Sequence, residues 1–236
     1  LEALHPGRID LGLGRAPGTD PVTAAALRRG NSDDPNERLA EVLAFADATF
    51  PHGHTFRDVV PMPSGVDLPP IWMLGSTRGG ASIAASLGTH YAFAGHFAMR
   101  NATEAIAWYR DQFNPSARLK TPYAILAVTV VCGENDEQAE QMAAPIRLAV
   151  VRNRTGRRAP IASIEDALAY RFTKEEEAIA DEFLLGAIIG GPQRVLEGLT
   201  TLARNSGADE LMLSTLLPSR EDRLQSYQRV STVAGL

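Results

Sequence analysis

Three short phrases carry residue types suited to holding an anion. In the first, Gly12-Leu13-Gly14-Arg15-Ala16-Pro17-Gly18, an apolar strand runs into glycines and an arginine and then breaks at Pro17-Gly18. Glycines let a ligand approach the backbone, and a guanidinium grips phosphate through two parallel hydrogen bonds. A plain surface charge on a loop is the commoner fate of an arginine, and the flanking glycines only partly offset it. In the second, Gly75-Ser76-Thr77-Arg78-Gly79-Gly80, a strand turns into a helix. The free N–H groups of a helix start favour an anion. Ser76 and Thr77 add hydroxyl donors, and Gly79 and Gly80 leave room for a phosphate. The competing reading, a Ser76 N-cap with small residues packing the helix onto its neighbours, stands level with it. The phrase lacks the Gly-Lys-Ser/Thr ending of a P-loop and the Gly-x-Gly-x-x-Gly spacing of a dinucleotide fold. In the third, His96 follows the apolar run Tyr91-Ala92-Phe93-Ala94. An imidazole there can line a pocket, move protons or simply satisfy a backbone carbonyl.

The other chemistry-bearing residues read as structural. His52 and His54 share a loop with no further ligand at helical spacing, so no metal site is expected. Cys132 is the single cysteine, and no neighbouring cation in the sequence would activate a thiolate. Glu134, Asp136 and Glu137 suit a solvated helix start, and Glu175, Glu176 and Glu177 a solvated face. No Gly-x-Ser-x-Gly phrase marks a nucleophile elbow. No residue is singled out as a catalytic acid, base or nucleophile.

These phrases need elements that bring them to one place. Proline and glycine punctuation gives strands near 8–13, 70–74, 91–94, 123–131 and 209–214, alternating with helices. Gly88 stops a helix over 77–87, and Asn101-Ala102-Thr103-Glu104 has capping-box spacing. Pro145 sits inside a helix over 134–153. Pro192 opens a helix that ends near Gly207, and the last helix begins near Pro218. Continuous apolar runs outnumber alternating ones, which requires a parallel sheet covered by helices. In a doubly wound sheet and in a (β/α)8 barrel alike, ligands sit at the carboxyl ends of the strands. The site is therefore expected among 12–18, 75–80, 95–97, 132–136 and 214–217. Residues 154–191 are longer than a crossover needs and read as an excursion with the character of a lid.

The chain has 236 residues, 44% of them hydrophobic and 22% charged, enough for one domain with a sizeable core. A net charge of −5 argues against a nucleic-acid binder, which needs a basic surface. No apolar run is long enough to span a bilayer, and a lone cysteine fits a reducing cytoplasm.

Taken in order, five phrases resemble the luciferase-like flavin-dependent monooxygenases over nearly the whole chain. They are Leu4-His5-Pro6-Gly7-Arg8-Ile9-Asp10-Leu11-Gly12-Leu13-Gly14-Arg15, Pro70-Ile71-Trp72-Met73-Leu74-Gly75-Ser76, Tyr91-Ala92-Phe93-Ala94-Gly95-His96-Phe97, Gly190-Gly191-Pro192-Gln193-Arg194-Val195 and Gly207-Ala208-Asp209-Glu210-Leu211-Met212. The resemblance implies an α/β fold, a (β/α)8 TIM barrel of the bacterial luciferase-like type. The chain opens on Leu1, and its first strand matches the family's fourth. It is therefore expected to be a fragment holding the barrel in part, strands four to eight, as a single domain over 1–236. Residues 154–191 then form an insertion before the last strand.

The resemblance also implies reduced FMN at the carboxyl end of the barrel. Arg15 is expected at its phosphate, with Gly75 and Ser76 adding backbone and hydroxyl contacts and Thr77 beside them. Gly79 would contribute through its N–H where other members carry Ser or Thr, and His96 would line the pocket. Met99 stands near a position where the related subgroup commonly has proline. The implied activity is that of an oxidoreductase, a monooxygenase using reduced FMN and O2 on an aldehyde, ketone or other small organic substrate. A flavin reductase supplying the reduced cofactor and a homodimeric assembly accompany that reading. Two alternatives stay open: a deazaflavin-dependent oxidoreductase on the same barrel, and a non-catalytic flavin-binding partner subunit. An unrelated aldolase-like barrel fits poorly, because Lys120 and Lys174 are the only lysines and neither follows a strand.

Overall fold

The computed structural model describes residues 1–14, 21–27 and 35–236. Strand β1 (Leu11–Gly14) is followed by helices α1 (Pro21–Leu27) and α2 (Pro35–Asp47). Each helix opens on a proline, whose fixed φ suits a first turn where the missing N–H costs nothing. Helix α2 stops at Asp47, short of Pro51, with Ala48 in the left-handed region at φ 51°. The following loop is held by rings: Phe45 meets Phe50 edge-on, and His54 stacks on Phe50 at 4.5 Å. His54 thus serves packing, and its Nδ1 accepts the Phe56 N–H.

Strand β2 (Ile71–Gly75) feeds helix α3 (Arg78–Leu87). Gly88 ends α3 with φ 60°, and its N–H bonds back to the Ala84 and Ala85 carbonyls. A Cβ there would strike the Asn114 carbonyl oxygen at 2.5 Å, so only glycine closes this turn. Strand β3 (His90–Phe93) leads through the short helix α4 (Gly95–Ala98) and a 3-10 turn (Met99–Asn101) into α5 (Ala102–Asp111). The capping box expected at Asn101 does not form. The 3-10 turn sets Asn101 at φ −103° and ψ 4°, away from the extended backbone that a cap uses.

Strand β4 (Ala124–Cys132) precedes α6 (Asp136–Arg154), then α7 (Ile164–Ala169) and α8 (Lys174–Phe183). The chain finishes with β5 (Ile188–Gly190), α9 (Pro192–Ser206), β6 (Glu210–Ser214) and α10 (Arg220–Ala234). Glu176 is not on a solvated face as the sequence suggested. It is buried, completes a capping box with Thr173, and pairs with Arg157 and Tyr170. Those bonds hold its carboxyl below the usual range, Arg157 contributing most.

All strand pairs are parallel, and the order is β1-β2-β3-β4. Strand β4 also pairs with β6 along Ile125 to Thr129 and with β5 at Val130 to Cys132. The described sheet thus has six strands where the sequence suggested five. Strand β5 was missed because it is three residues long and exists only by extending the end of β4. Among the described residues no pairing joins β1 to β6, so the sheet is open.

The two faces of this sheet differ. Met73, Tyr91, Phe93 and Leu126 pack under α3 and α5 as the main core. Val128, Val130 and Cys132 continue it under α9 and α10. The opposite face carries Gly12, Trp72, Leu74, Ala92 and Met212, with Leu74 47% and Met212 54% exposed. The apolar run of β2 therefore reads as buried on both faces while the structure covers only one. Strand β4 alone is buried almost throughout.

The amino ends of the strands are stitched by polar groups. The Tyr109 hydroxyl donates to the Thr89 carbonyl at 2.8 Å and accepts the Tyr123 N–H at 3.1 Å. Burial pushes this hydroxyl's pKa up to about 12. The Asp209 carboxylate accepts the Ala124 N–H at 2.7 Å and Arg110 at 2.6 Å, joining β4, β6 and α5.

Candidate functional site

Parallel pairing brings the carboxyl ends of β1 to β4 and β6 to one rim, as the sequence required. Gly14, the last residue of β1, lies in register with Leu74, beside Gly75. Arg15 is the next residue and lies outside the described residues. Gly75 in turn accepts the Ala94 N–H at 2.8 Å, which fixes the segment 95–97 beside the 75–77 turn. The rim thus runs from Gly14 through Gly75 to His96.

The start of α3 divides the roles of its small residues. A Cβ on Gly75 would lie 3.2 Å from the Gly80 Cα and 3.3 Å from the Tyr91 ring, so strand end and helix start lie flush. Gly80 is buried and serves this packing. Gly79 is exposed on the first turn. The N-cap position belongs to Thr77, not Ser76, and Thr77 makes no side-chain cap bond despite extended φ and ψ of −146° and 164°. The Ser76 hydroxyl has no hydrogen-bond partner among the described residues. The Gly80 N–H turns back to the Thr77 carbonyl at 3.1 Å. Among the described residues the Arg78 and Gly79 amides and the two hydroxyls stand uncommitted at the rim, a donor set that suits an anion.

His96 is half-buried, and its Nδ1 is a buried nitrogen without a partner among the described residues. Burial pushes its pKa below the ordinary value, so the ring is neutral at pH 7. The other two expected stretches are spent on structure. Asp136 accepts the Gly191 N–H at 2.7 Å, which holds its carboxyl below the usual range. The Thr215 hydroxyl donates to the Val130 carbonyl at 2.7 Å, and Leu217 is buried against α6. Cys132 is buried and its thiol is pushed up by that burial. Among the described residues no three metal-ligating side chains gather.

Beyond His96 the rim opens into a cleft of about 560 Å³ that sequence reasoning did not foresee. Phe97, Met99 and Arg100 form one wall, and Ile179, Glu182 and Phe183 of α8 the other. Arg100 bridges the walls with two bonds to Glu182, 3.2 and 2.7 Å long. Met99 occupies the space that a side chain at Gly186 would need, since a Cβ there would lie 2.1 Å from the Met99 Cγ. The only sequence signal was the length of the 154–191 excursion.

The description of luciferase-like monooxygenases, as a family model, matches residues 1–210. The chain belongs to the luciferase-like monooxygenase family. A luciferase-like monooxygenase of Escherichia coli (strain K12) is 35% identical over 231 residues, covering 97% of this chain and 68% of the relative. The crystal structure of apo-MsnO8 superposes with a TM-score of 0.81 at 32% identity, covering 100% of this chain and 70% of that one. Two further structures share the fold alone. The oxygenating constituent of 3,6-diketocamphane monooxygenase from Pseudomonas putida, in complex with FMN, is 16% identical with a TM-score of 0.55. It covers 93% of this chain and 68% of its own. An F420-dependent secondary alcohol dehydrogenase is 11% identical with a TM-score of 0.61, covering 98% and 71%. Family membership makes the chain's α/β parallel sheet a luciferase-like one, with TIM-barrel neighbours. Among the described residues no helix is long and apolar enough to cross a membrane.

Proposed function

We propose that the protein is a flavin-dependent oxidoreductase, a monooxygenase that uses reduced FMN and O2 on a small organic substrate. In this reading β1, β2, β3, β4 and β6 are strands four to eight of a (β/α)8 barrel within one domain. Residues 154–191 are its insertion, and β5 belongs to that insertion. The observation that carries the reading is the uncapped start of α3 at the carboxyl rim, one strand away from Gly14. Reduced flavin supplies the oxygen chemistry when bound. The chain's own residues bind and orient it: the Arg15 guanidinium, the Ser76 and Thr77 hydroxyls, the backbone of the Gly75-Ser76 turn and the Gly79 amide hold the phosphate. His96, kept neutral by burial, lines the pocket beside it. A flavin reductase supplying reduced FMN, a homodimeric assembly and a cytoplasmic location belong to the same proposal.

Deazaflavin dependence is the second reading, favoured by the fold shared with the F420-dependent dehydrogenase. Oxygen uptake with reduced FMN, set against F420 oxidation or reduction, separates the two. A protein that holds flavin and turns over neither cofactor is the partner subunit. Arg15→Ala in the intact protein is expected to weaken FMN binding by about 1.5–3 kcal/mol, the scale of hydrogen bonds to a charged group. Flavin fluorescence titration measures it, and unchanged affinity removes Arg15 from the site.

A further inference from the structure

We infer that the cleft between the 97–101 segment and α8 receives the organic substrate, and that it fits an apolar-bodied carboxylate. The reaction this would serve rests on the flavin reading above; the binding does not. The cleft's volume, about 560 Å³, is that of a small-molecule site. Its position follows from the rim: Gly75 holds Ala94, and the first wall begins three residues later at Phe97.

The walls set the body of the ligand. Phe97 is 46% exposed and Leu185 58% exposed, and both flank the opening beside half-buried Met99, Ile179 and Phe183. Bare apolar side chains gathered in a concave site are what a hydrophobic ligand covers.

A census of charge sets its head group. Three charged residues line the cleft: Arg100, Glu182 and Arg154. Arg100 and Glu182 neutralise each other. Arg154, in the last turn of α6, has no hydrogen-bond or carboxylate partner among the described residues. The end of a helix favours a cation, which explains a basic residue at 154. It does not explain why that residue opens onto apolar walls. One uncompensated guanidinium beside an apolar cavity matches one carboxylate at the end of an apolar body, gripped through two parallel bonds.

The test uses the intact protein and two probes of equal length, 6-phenylhexanoate and 6-phenylhexanol, titrated by calorimetry at pH 7.5. The carboxylate is expected to bind about tenfold more tightly, the scale of a charge-assisted hydrogen bond that remains partly solvated. Arg154→Gln, at an exposed position, should erase that preference by weakening the carboxylate and leaving the alcohol unchanged. Ile179→Asp should weaken both probes. The inference is overturned if the wild type shows no preference, if the preference survives in Arg154→Gln, or if Ile179→Asp leaves both affinities intact. FMN affinity, measured in the same samples, should be unchanged by either substitution. Loss of flavin binding in the wild type with the carboxylate preference intact would defeat the cofactor reading alone. The converse would defeat this inference alone.

Discussion

Helix starts in this molecule come in two kinds. Asn135, Ser163, Thr173 and Ser219 each accept a backbone N–H at the head of α6, α7, α8 and α10. Thr77 heads α3 with the same chemistry and similarly extended backbone, yet its hydroxyl caps nothing. The first four starts are closed by their own side chains, as free-standing helix ends usually are. The fifth leaves the Arg78 and Gly79 amides open at the rim where β1 ends on Gly14 and β2 on Gly75. Asn101 also fails to cap, but there a 3-10 turn removes the extended backbone. Thr77 has that backbone and still leaves its hydroxyl and the amides behind it open, and the anion reading of α3 grows from that contrast.

The sharpest way to break the contrast is to lift α3 off the rim. Gly80→Val would press a branched side chain where even a Cβ lies 3.1 Å from the Gly75 Cα. Overpacking of this kind costs about 1–3 kcal/mol, and FMN binding should fall with it. A urea midpoint equal to the wild type would mean that strand end and helix are not flush. A smaller effect sharpens the comparison directly. Thr173→Ala should cost about 1 kcal/mol, the usual loss of an N-cap. Thr77→Ala should change stability by less than about 0.5 kcal/mol, as a surface substitution without a structural role does. Equal losses in urea unfolding would show that Thr77 caps α3 after all.

The smallest effect is a titration. Burial lowers the His96 pKa below its ordinary 6.5, so the folded state resists protonation more than the unfolded chain does. Stability is then full above pH 6.5 and declines as pH falls through the window between that value and the lowered folded one. His96→Gln should flatten the stability difference between pH 7.5 and pH 5.5. An unaltered slope would assign the acid sensitivity to other groups.

Much of the fold was legible because its punctuation is local. Gly88, Pro192 and Gly207 mark helix ends by backbone geometry alone, and each does so in the structure. What the sequence hid depends on partners far away. Strand β5 exists because β4 runs on past β6. Glu176 sits in an acidic run that reads as solvated, and Arg157 with Tyr170 draws it inward. Asn101 has the spacing of a cap, and a 3-10 turn upstream removes the conformation. For the site, the Gly-Ser-Thr turn announced itself by composition. The cleft did not, since its walls come from segments some 80 residues apart, bridged by Arg100 and Glu182.

The Tyr109 hydroxyl and the Asp209 carboxylate have a consequence for how such a protein can change over generations. They anchor β3, β4, β6 and α5 at the base, remote from the glycine-lined rim. Residues around the mouth can then be exchanged without loosening the foundation. Divergence in what the mouth accepts is decoupled from the cost of staying folded, and variants with new appetites inherit an intact floor.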